Sequence, residues 1–169
     1  MAACAPSLKR VGLELGGKAP AVVFADANLD LAVKELTHGA LAMAGQICVA
    51  AARFVVHESI ASEFEAKITM AFRAVKVGPG DRPESQMGSL IDLENRTRIE
   101  RLIEQAGDEG EMVLKGERLS DAAFLSPTLF RINDLSSPLV QEELFGPIVS
   151  IETFADEAEA AAKAAALAK

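Results

Sequence analysis

Cys48 and Glu14 are the residues with which this sequence could do covalent chemistry. Cys48 stands in Gly45-Gln46-Ile47-Cys48, just after a glycine that breaks an apolar helical stripe. A nucleophilic cysteine needs solvent access and a stabilised thiolate. A loop leaving a helix end gives access, and glycine lets another molecule approach the backbone closely. The alternative is an inert core thiol, because Ile47 and Val49 flank the cysteine. Glu14 lies in Leu13-Glu14-Leu15-Gly16-Gly17-Lys18, between two leucines on a predicted strand. On a buried strand a lone carboxylate is costly unless it is paired or protonated. A raised pKa is what a general base working near neutrality requires. The alternative is an edge strand, with Glu14 facing solvent or bridging to Lys18. A third cluster is Gln141-Glu142-Glu143-Leu144-Phe145-Gly146-Pro147, an acidic pair followed by turn chemistry. It reads as a loop entering a strand, and its alternative is two solvated glutamates beside one core phenylalanine.

The remaining candidates are weaker. Cys4 falls in a helical stretch and reads as structural. The only histidines are His38, which reads as a helix-surface residue, and His57, which reads as structural at a strand end. A cysteine hydrolase with a Cys-His pair stays open in space but has no sequence signature. The chain contains no HExxH, CxxC, GxSxG or P-loop, so no metal site is expected.

The elements that must hold these residues follow from apolar periodicity. Residues 11–15, 21–24, 53–57, 112–115, 127–132 and 148–154 read as strands. From Leu29, the positions Ala32, Val33, Leu36, Ala40, Met43 and Ala44 form a helical stripe that Gly45 ends, with Asp26 or Asn28 as cap. A second helix begins near Ser59, read as its cap, and buries Ile60, Phe64, Ile68, Ala71, Phe72 and Val75. Gly78-Pro79-Gly80-Asp81 is a loop by turn chemistry. A third helix covers residues 92–106 with Ile99, Leu102, Ile103 and Ala106 inward. Asp156 with Glu159 resembles a capping box and opens an Ala-rich final helix, expected to run on to Lys169. Alternating strands and helices imply an α/β domain built on a mainly parallel open sheet with flanking helices.

Composition narrows the function. Of 169 residues half are apolar and a quarter charged, which is the balance of a globular protein, and the net charge is −8. An acidic chain with no Trp and no Tyr lacks both the basic face and the stacking platform of a nucleic-acid binder. No run of 18 apolar residues occurs, so no membrane span is expected. Two cysteines make no disulfide framework, and a reduced, cytoplasmic location is expected.

Taken together, the three clusters resemble the aldehyde dehydrogenase family. Glu14-Leu15-Gly16-Gly17-Lys18 is similar to its E-L-G-G-K element, Gly45-Gln46-Ile47-Cys48 to its G-Q-x-C element, and Glu142-Glu143-Leu144-Phe145-Gly146-Pro147 to its E-E-x-F-G-P element. The 34-residue step from Glu14 to Cys48 also matches. The resemblance covers essentially the whole chain. It implies that Cys48 attacks the aldehyde and passes through a thiohemiacetal and a thioester. Glu14 would then activate the hydrolytic water, making the product a carboxylic acid. It implies further that Glu143 holds a ribose hydroxyl of NAD or NADP, that Phe145 packs beside that ribose, and that Leu15 and Gly16 line the nicotinamide pocket. Before Gly45 many members carry an aromatic residue and Asn, where this chain has Leu41-Ala42-Met43-Ala44. Residues 45–56 are similar to those of aromatic-aldehyde members such as vanillin and salicylaldehyde dehydrogenases. By the same resemblance, residues 1–10 are the tail of a preceding dinucleotide-binding domain. Residues 11–169 are then a partial catalytic domain, lacking the family's Rossmann domain and C-terminal segment. Such a fragment is expected to be inactive alone, and the longer protein to be a homo-oligomer acting on a small aldehyde. A non-catalytic module that associates with a full-length subunit is the alternative from another functional class.

Overall fold

Strand β2 (Arg53–His57) lies inside the sheet, and its Phe54, Val55 and Val56 are all fully buried. Burial on both faces marks an interior strand of a parallel sheet, and explains why this run is continuously apolar instead of alternating. The computed structural model describes residues 1–132 and 134–166. It contains a five-stranded sheet in the order β1-β2-β5-β4-β3, with β1 at Pro20–Val23, β3 at Glu111–Leu114, β4 at Thr128–Arg131 and β5 at Ile148–Phe154. The pairs β1/β2, β2/β5 and β4/β5 are parallel, and only the edge strand β3 is antiparallel. The expected mainly parallel α/β fold is present.

Helices cover both faces. Phe54 and Val56 point to the larger core, which holds Phe64, Ile68 and Phe72 of α2 (Ala61–Ala74) and Ile99 and Ile103 of α3 (Leu93–Gln105). Phe54 meets Phe64 and Phe72 edge to face, with ring centroids 5.7 and 6.3 Å apart. Val55 points the other way, to Phe154 and to Ala160 of α5 (Glu157–Ala165). A buried ion pair lies in the sheet. Arg53 Nε and Nη2 donate to Glu152 Oε1 and Oε2 at 2.8 and 2.7 Å, and Nη2 also reaches the Lys163 carbonyl of α5 at 2.8 Å. Both side chains are almost inaccessible. Two fork bonds satisfy the carboxylate that burial would otherwise leave stranded.

Capping sets the helix starts. Asn28 accepts from Leu31 N–H at the head of α1 (Leu29–Leu41), Asp92 from Asn95 N–H at α3, and Asp156 from Glu159 N–H at α5. Glu159 reaches back to Ala155 N–H, which completes the predicted reciprocal arrangement one residue early. The short helix α4 (Pro138–Gln141) starts on Ser137 with proline in its first turn.

Three expectations are corrected. Residues 11–15 form no strand. They precede β1 and pair with no strand among the described residues, and Val11, Leu13 and Leu15 are exposed. The first helix ends at Leu41 instead of Ala44, because Met43 and Ala44 adopt left-handed backbone. Ser59 is not a cap. His57 Nδ1 accepts from Ser59 N–H and caps a 3-10 turn, Glu58–Ile60, that leads into α2. At the N-terminus a 3-10 turn, Ala2–Ser7, carries Cys4. The predicted run of the last helix to Lys169 falls partly on residues 167–169, outside those described.

Candidate functional site

The three clusters singled out in the sequence occupy the loops that enter β1, β2 and β5, three neighbouring parallel strands. Chain entering adjacent parallel strands arrives at the same end of the sheet, about 5 Å apart per strand. Gly16 therefore meets Glu143, whose carboxylate lies where a Cβ at Gly16 would sit. Gly17 faces the Cys48 carbonyl, with a Cβ position 3.5 Å away. Gly45 lies against the Gly146 backbone, whose carbonyl carbon is 2.7 Å from the Cβ position. Lys18 Nζ donates to the Glu142 carbonyl at 2.9 Å. A crevice of about 10 Å³, roughly one water in size, runs between Gly17, Lys18, Gly45 and Glu143.

Backbone conformation at this end is unusual. Met43, Ala44 and Gly45 are left-handed in succession, with φ of 51, 57 and 71°. Phe145 on the facing loop is left-handed too, with φ 52°. Each non-glycine residue held so costs roughly 1–2 kcal/mol, and such strain persists only where surrounding contacts over-determine it. Gln46 supplies several of those contacts. Its Nε2 donates to the Met43 carbonyl at 2.9 Å, and its Oε1 accepts from Ile91 N–H at 2.9 Å.

Cys48 is exposed, as are Glu14, Gly16, Glu143 and Phe145. Leu15 is 72% exposed. Glu14 sits on irregular chain two residues before Gly16, and makes no hydrogen bond or ion pair among the described residues. Its bridge to Lys18, the bland reading of the sequence, is not formed, because Lys18 turns inward to Glu142. Cys4 and Cys48 are both unpaired. His38 is exposed on α1, and His57 packs edge-on to Phe154 with centroids 5.3 Å apart.

Sequence reasoning passed over Lys18, Gln46 and Arg98. Lys18 is only 3% exposed. Burial first, and the nearby Arg53 charge second, pull its ammonium down to about 8 from an ordinary 10.5. Arg98 of α3 donates to the Leu144 carbonyl at 2.5 Å and fixes the loop bearing Glu143. Phe145, Asn95, Arg98 and Arg101 line an open groove of about 670 Å³ along α3. The available signal was motif membership: Lys18 and Gln46 lie inside the glycine-bearing clusters, whereas nothing local marks Arg98.

The site is thus a mainly parallel α/β sheet with an exposed thiol on a strained loop that follows a buried glycine. A profile described as the aldehyde dehydrogenase family matches residues 1–167. The chain belongs to that family. It is 35% identical over 165 residues to betaine aldehyde dehydrogenase of Bacillus subtilis, covering 94% of this chain and 34% of the relative. It is 36% identical over 159 residues to glutarate-semialdehyde dehydrogenase of Pseudomonas putida, covering 94% and 33%. Among solved structures it resembles betaine aldehyde dehydrogenase of Staphylococcus aureus in complex with NAD+, with TM-score 0.87, 35% identity, and 96% and 34% coverage. An NAD-dependent aldehyde dehydrogenase of Sinorhizobium meliloti superposes with TM-score 0.90 at 34% identity, covering 96% and 33%. The chain spans about a third of the length of the relatives it matches.

Proposed function

We propose that this chain supplies the nucleophile segment of an enzyme that oxidises a small aldehyde to a carboxylic acid with NAD or NADP. The observation that carries the reading is the convergence of three loops, bearing Cys48, Gly16 with Gly17, and Glu143, on one end of the sheet. The Cys48 thiolate forms a C–S bond to the carbonyl carbon, and the electron pair of the C=O bond moves to oxygen, giving a thiohemiacetal. The Cys48 N–H, at a chain position fixed by the strained turn before it, stabilises that oxygen. NAD(P), when bound, accepts the hydride that leaves carbon, and the acyl group remains on sulfur as a thioester. Glu14 takes a proton from water as the water oxygen attacks; the C–S bond breaks and the thiolate is restored.

The residues present fit a dinucleotide. Gly16, lacking a Cβ, lets the Glu143 carboxylate lie against its backbone, where that carboxylate can accept from ribose hydroxyls. Phe145 offers a half-exposed ring at the groove on α3, and Leu15 and Gly16 line the nicotinamide side. In this reading residues 1–10 close a dinucleotide-binding domain, residues 11–169 belong to the catalytic domain, and the 169-residue chain alone binds NAD(P) weakly and does not turn over. The longer protein is proposed to be a homo-oligomer. Its two unpaired cysteines fit a reducing compartment such as the cytoplasm. No helix among the described residues is long and apolar enough to cross a membrane. Aromatic aldehydes are the proposed substrates on the resemblance of residues 45–56.

The test is aldehyde-dependent NAD(P)H formation by a protein joining these residues to the family's dinucleotide-binding domain. Cys48→Ser should abolish it. Glu14→Gln should give one stoichiometric burst and leave an acyl group on Cys48, detectable by mass spectrometry. Steady turnover by the Cys48→Ser variant would refute the reading. A second reading, a non-catalytic module docking on a full-length subunit, is favoured by the exposed apolar side chains of Leu8, Leu13, Leu15 and Val49. It requires that no acyl group ever appear on Cys48.

A further inference from the structure

We propose that Gln46 is a positioning residue for Cys48, joining the left-handed turn before the cysteine to α3 and, through α3, to the loop bearing Glu143. The inference rests on the reading of Cys48 as nucleophile.

A carboxamide has two N–H donors and one oxygen that can accept twice. In Gln46 each capacity meets a partner. Nε2 donates to the Met43 carbonyl at 2.9 Å and lies 3.5 Å from the Ser89 carbonyl. Oε1 accepts from Ile91 N–H at 2.9 Å and from Asn95 Nδ2 at 3.3 Å. The Gln46 main-chain N–H bonds the same Met43 carbonyl at 3.2 Å. Met43 is thus held from two directions in a backbone shape it does not prefer.

The connection continues beyond Gln46. Asn95 Oδ1 accepts from Arg98 Nε at 2.9 Å, and Arg98 Nη2 donates to the Leu144 carbonyl at 2.5 Å. One chain of hydrogen bonds therefore runs from Met43 through Gln46, Asn95 and Arg98 to Leu144, next to Glu143 and Phe145. Gly45 closes the circuit directly by lying against Gly146. The two loops that must agree in position, one presenting sulfur and one facing the groove, are referenced to the same helix. Volume is not what Gln46 contributes: it is half-exposed, and its contacts are polar.

The test compares two reactions of the same sulfur, in a Cys4→Ser background of the 169-residue chain. Acylation by p-nitrophenyl acetate bonds the acetyl carbon to Sγ and expels p-nitrophenolate through an oxyanion that needs the loop's shape. Alkylation by iodoacetamide displaces iodide and has no oxyanion. Gln46→Ala and Gln46→Met should each lower acylation on the order of 10-fold or more, while alkylation changes less than about 3-fold. Methionine keeps the side-chain length, so recovery in Gln46→Met would mean packing, and would overturn the inference. Asn95→Ala lies outside the loop and should lower the same ratio; it decides the matter if the Gln46 variants do not fold, an unchanged ratio refuting the inference. Wild-type acylation at Cys48 with no loss in any variant overturns this inference alone. Absence of wild-type acylation overturns the nucleophile reading and this inference with it.

Discussion

Replacing Gly45 by alanine tests whether the loop bearing Cys48 is locked as the geometry requires. Gly45 has φ 71°, and its Cβ position falls against the Gly146 carbonyl group, with the carbon 2.7 Å away and Pro147 N 3.3 Å away. Two costs add. A left-handed alanine costs roughly 1 kcal/mol or more against glycine. Pushing a methyl group into packed backbone costs roughly 1–3 kcal/mol, with no side-chain rotation to relieve it. The sum, about 2–4 kcal/mol, corresponds to a fall in melting temperature of about 4–16 °C for a domain of this size. Urea and thermal unfolding followed by circular dichroism measure it. Two controls sharpen the result. Gly88→Ala meets nothing within 4 Å and should stay within about 0.5 kcal/mol of wild type. Gly146→Ala meets the Ile99 Cδ1 atom at 2.6 Å, a side-chain end that can turn away, and should cost less than Gly45→Ala. A Gly45→Ala protein as stable as wild type would refute the claim that the two loops interlock through backbone.

Three further outcomes are expected. Because the folded state holds Lys18 near 8 while the unfolded chain holds it near 10.5, the unfolded state binds more protons between those values, and stability rises with pH across that window. The rise attributable to Lys18 is about 3 kcal/mol; Lys18→Met should flatten the profile, and parallel profiles would count against the buried ammonium. Arg53→Met strands the Glu152 carboxylate and should cost about 3–5 kcal/mol, whereas Arg53→Met with Glu152→Leu should recover most of it; equal losses in chemical denaturation would contradict the pairing. Asp92→Ala removes the cap of α3, the helix that carries Asn95 and Arg98, and should cost about 1 kcal/mol; no change in urea midpoint would show that the cap is inessential.

Periodicity made the sheet and helices legible in the sequence. The run at residues 54–56 announced a strand, and Phe64, Ile68 and Phe72 announced the helix that covers one of its faces. Asn28, one of two candidates, and Asp156 are capping residues whose mechanism is local, so reading them required no tertiary knowledge, whereas Asp92, expected inside its helix, proves to be the cap. What failed was non-local. Residues 11–15 alternate like a strand, but alternation describes one edge of a ladder and says nothing of a partner. Met43 and Ala44 continue an apolar stripe, yet the backbone leaves the helix at Ala42, three residues before the glycine, where Gln46 and the Gly146 backbone hold the turn that follows. Arg53 and Glu152 sat inside two apolar strands, and their pairing depended on β2 and β5 being neighbours. In the candidate site the glycines were readable as points of close approach, but the atoms that approach them were not.

Parallel pairing is the reason motifs far apart in sequence can make one site. Residues 14–18, 45–48 and 142–147 are separated by β1 and α1 in one case and by three strands and three α-helices in the other. In an antiparallel meander, successive strand entries alternate between the two ends of the sheet. In this sheet β1, β2 and β5 are adjacent and parallel, so their entries share an end whatever the length of the crossovers. The geometry of the site is therefore insensitive to the Gly78-Pro79-Gly80 loop and sensitive to the few residues between each motif and its strand. Between Cys48 and Arg53 those residues are Val49, Ala50, Ala51 and Ala52, of which Ala50 is buried and Ala52 accepts from Ser150 N–H on β5. One residue added there would exchange the faces of β2, sending Phe54 to the side of α5 and withdrawing Arg53 from Glu152. The same four residues thus hold β2 in register with its neighbours and, in the proposed function, set the reach of the sulfur.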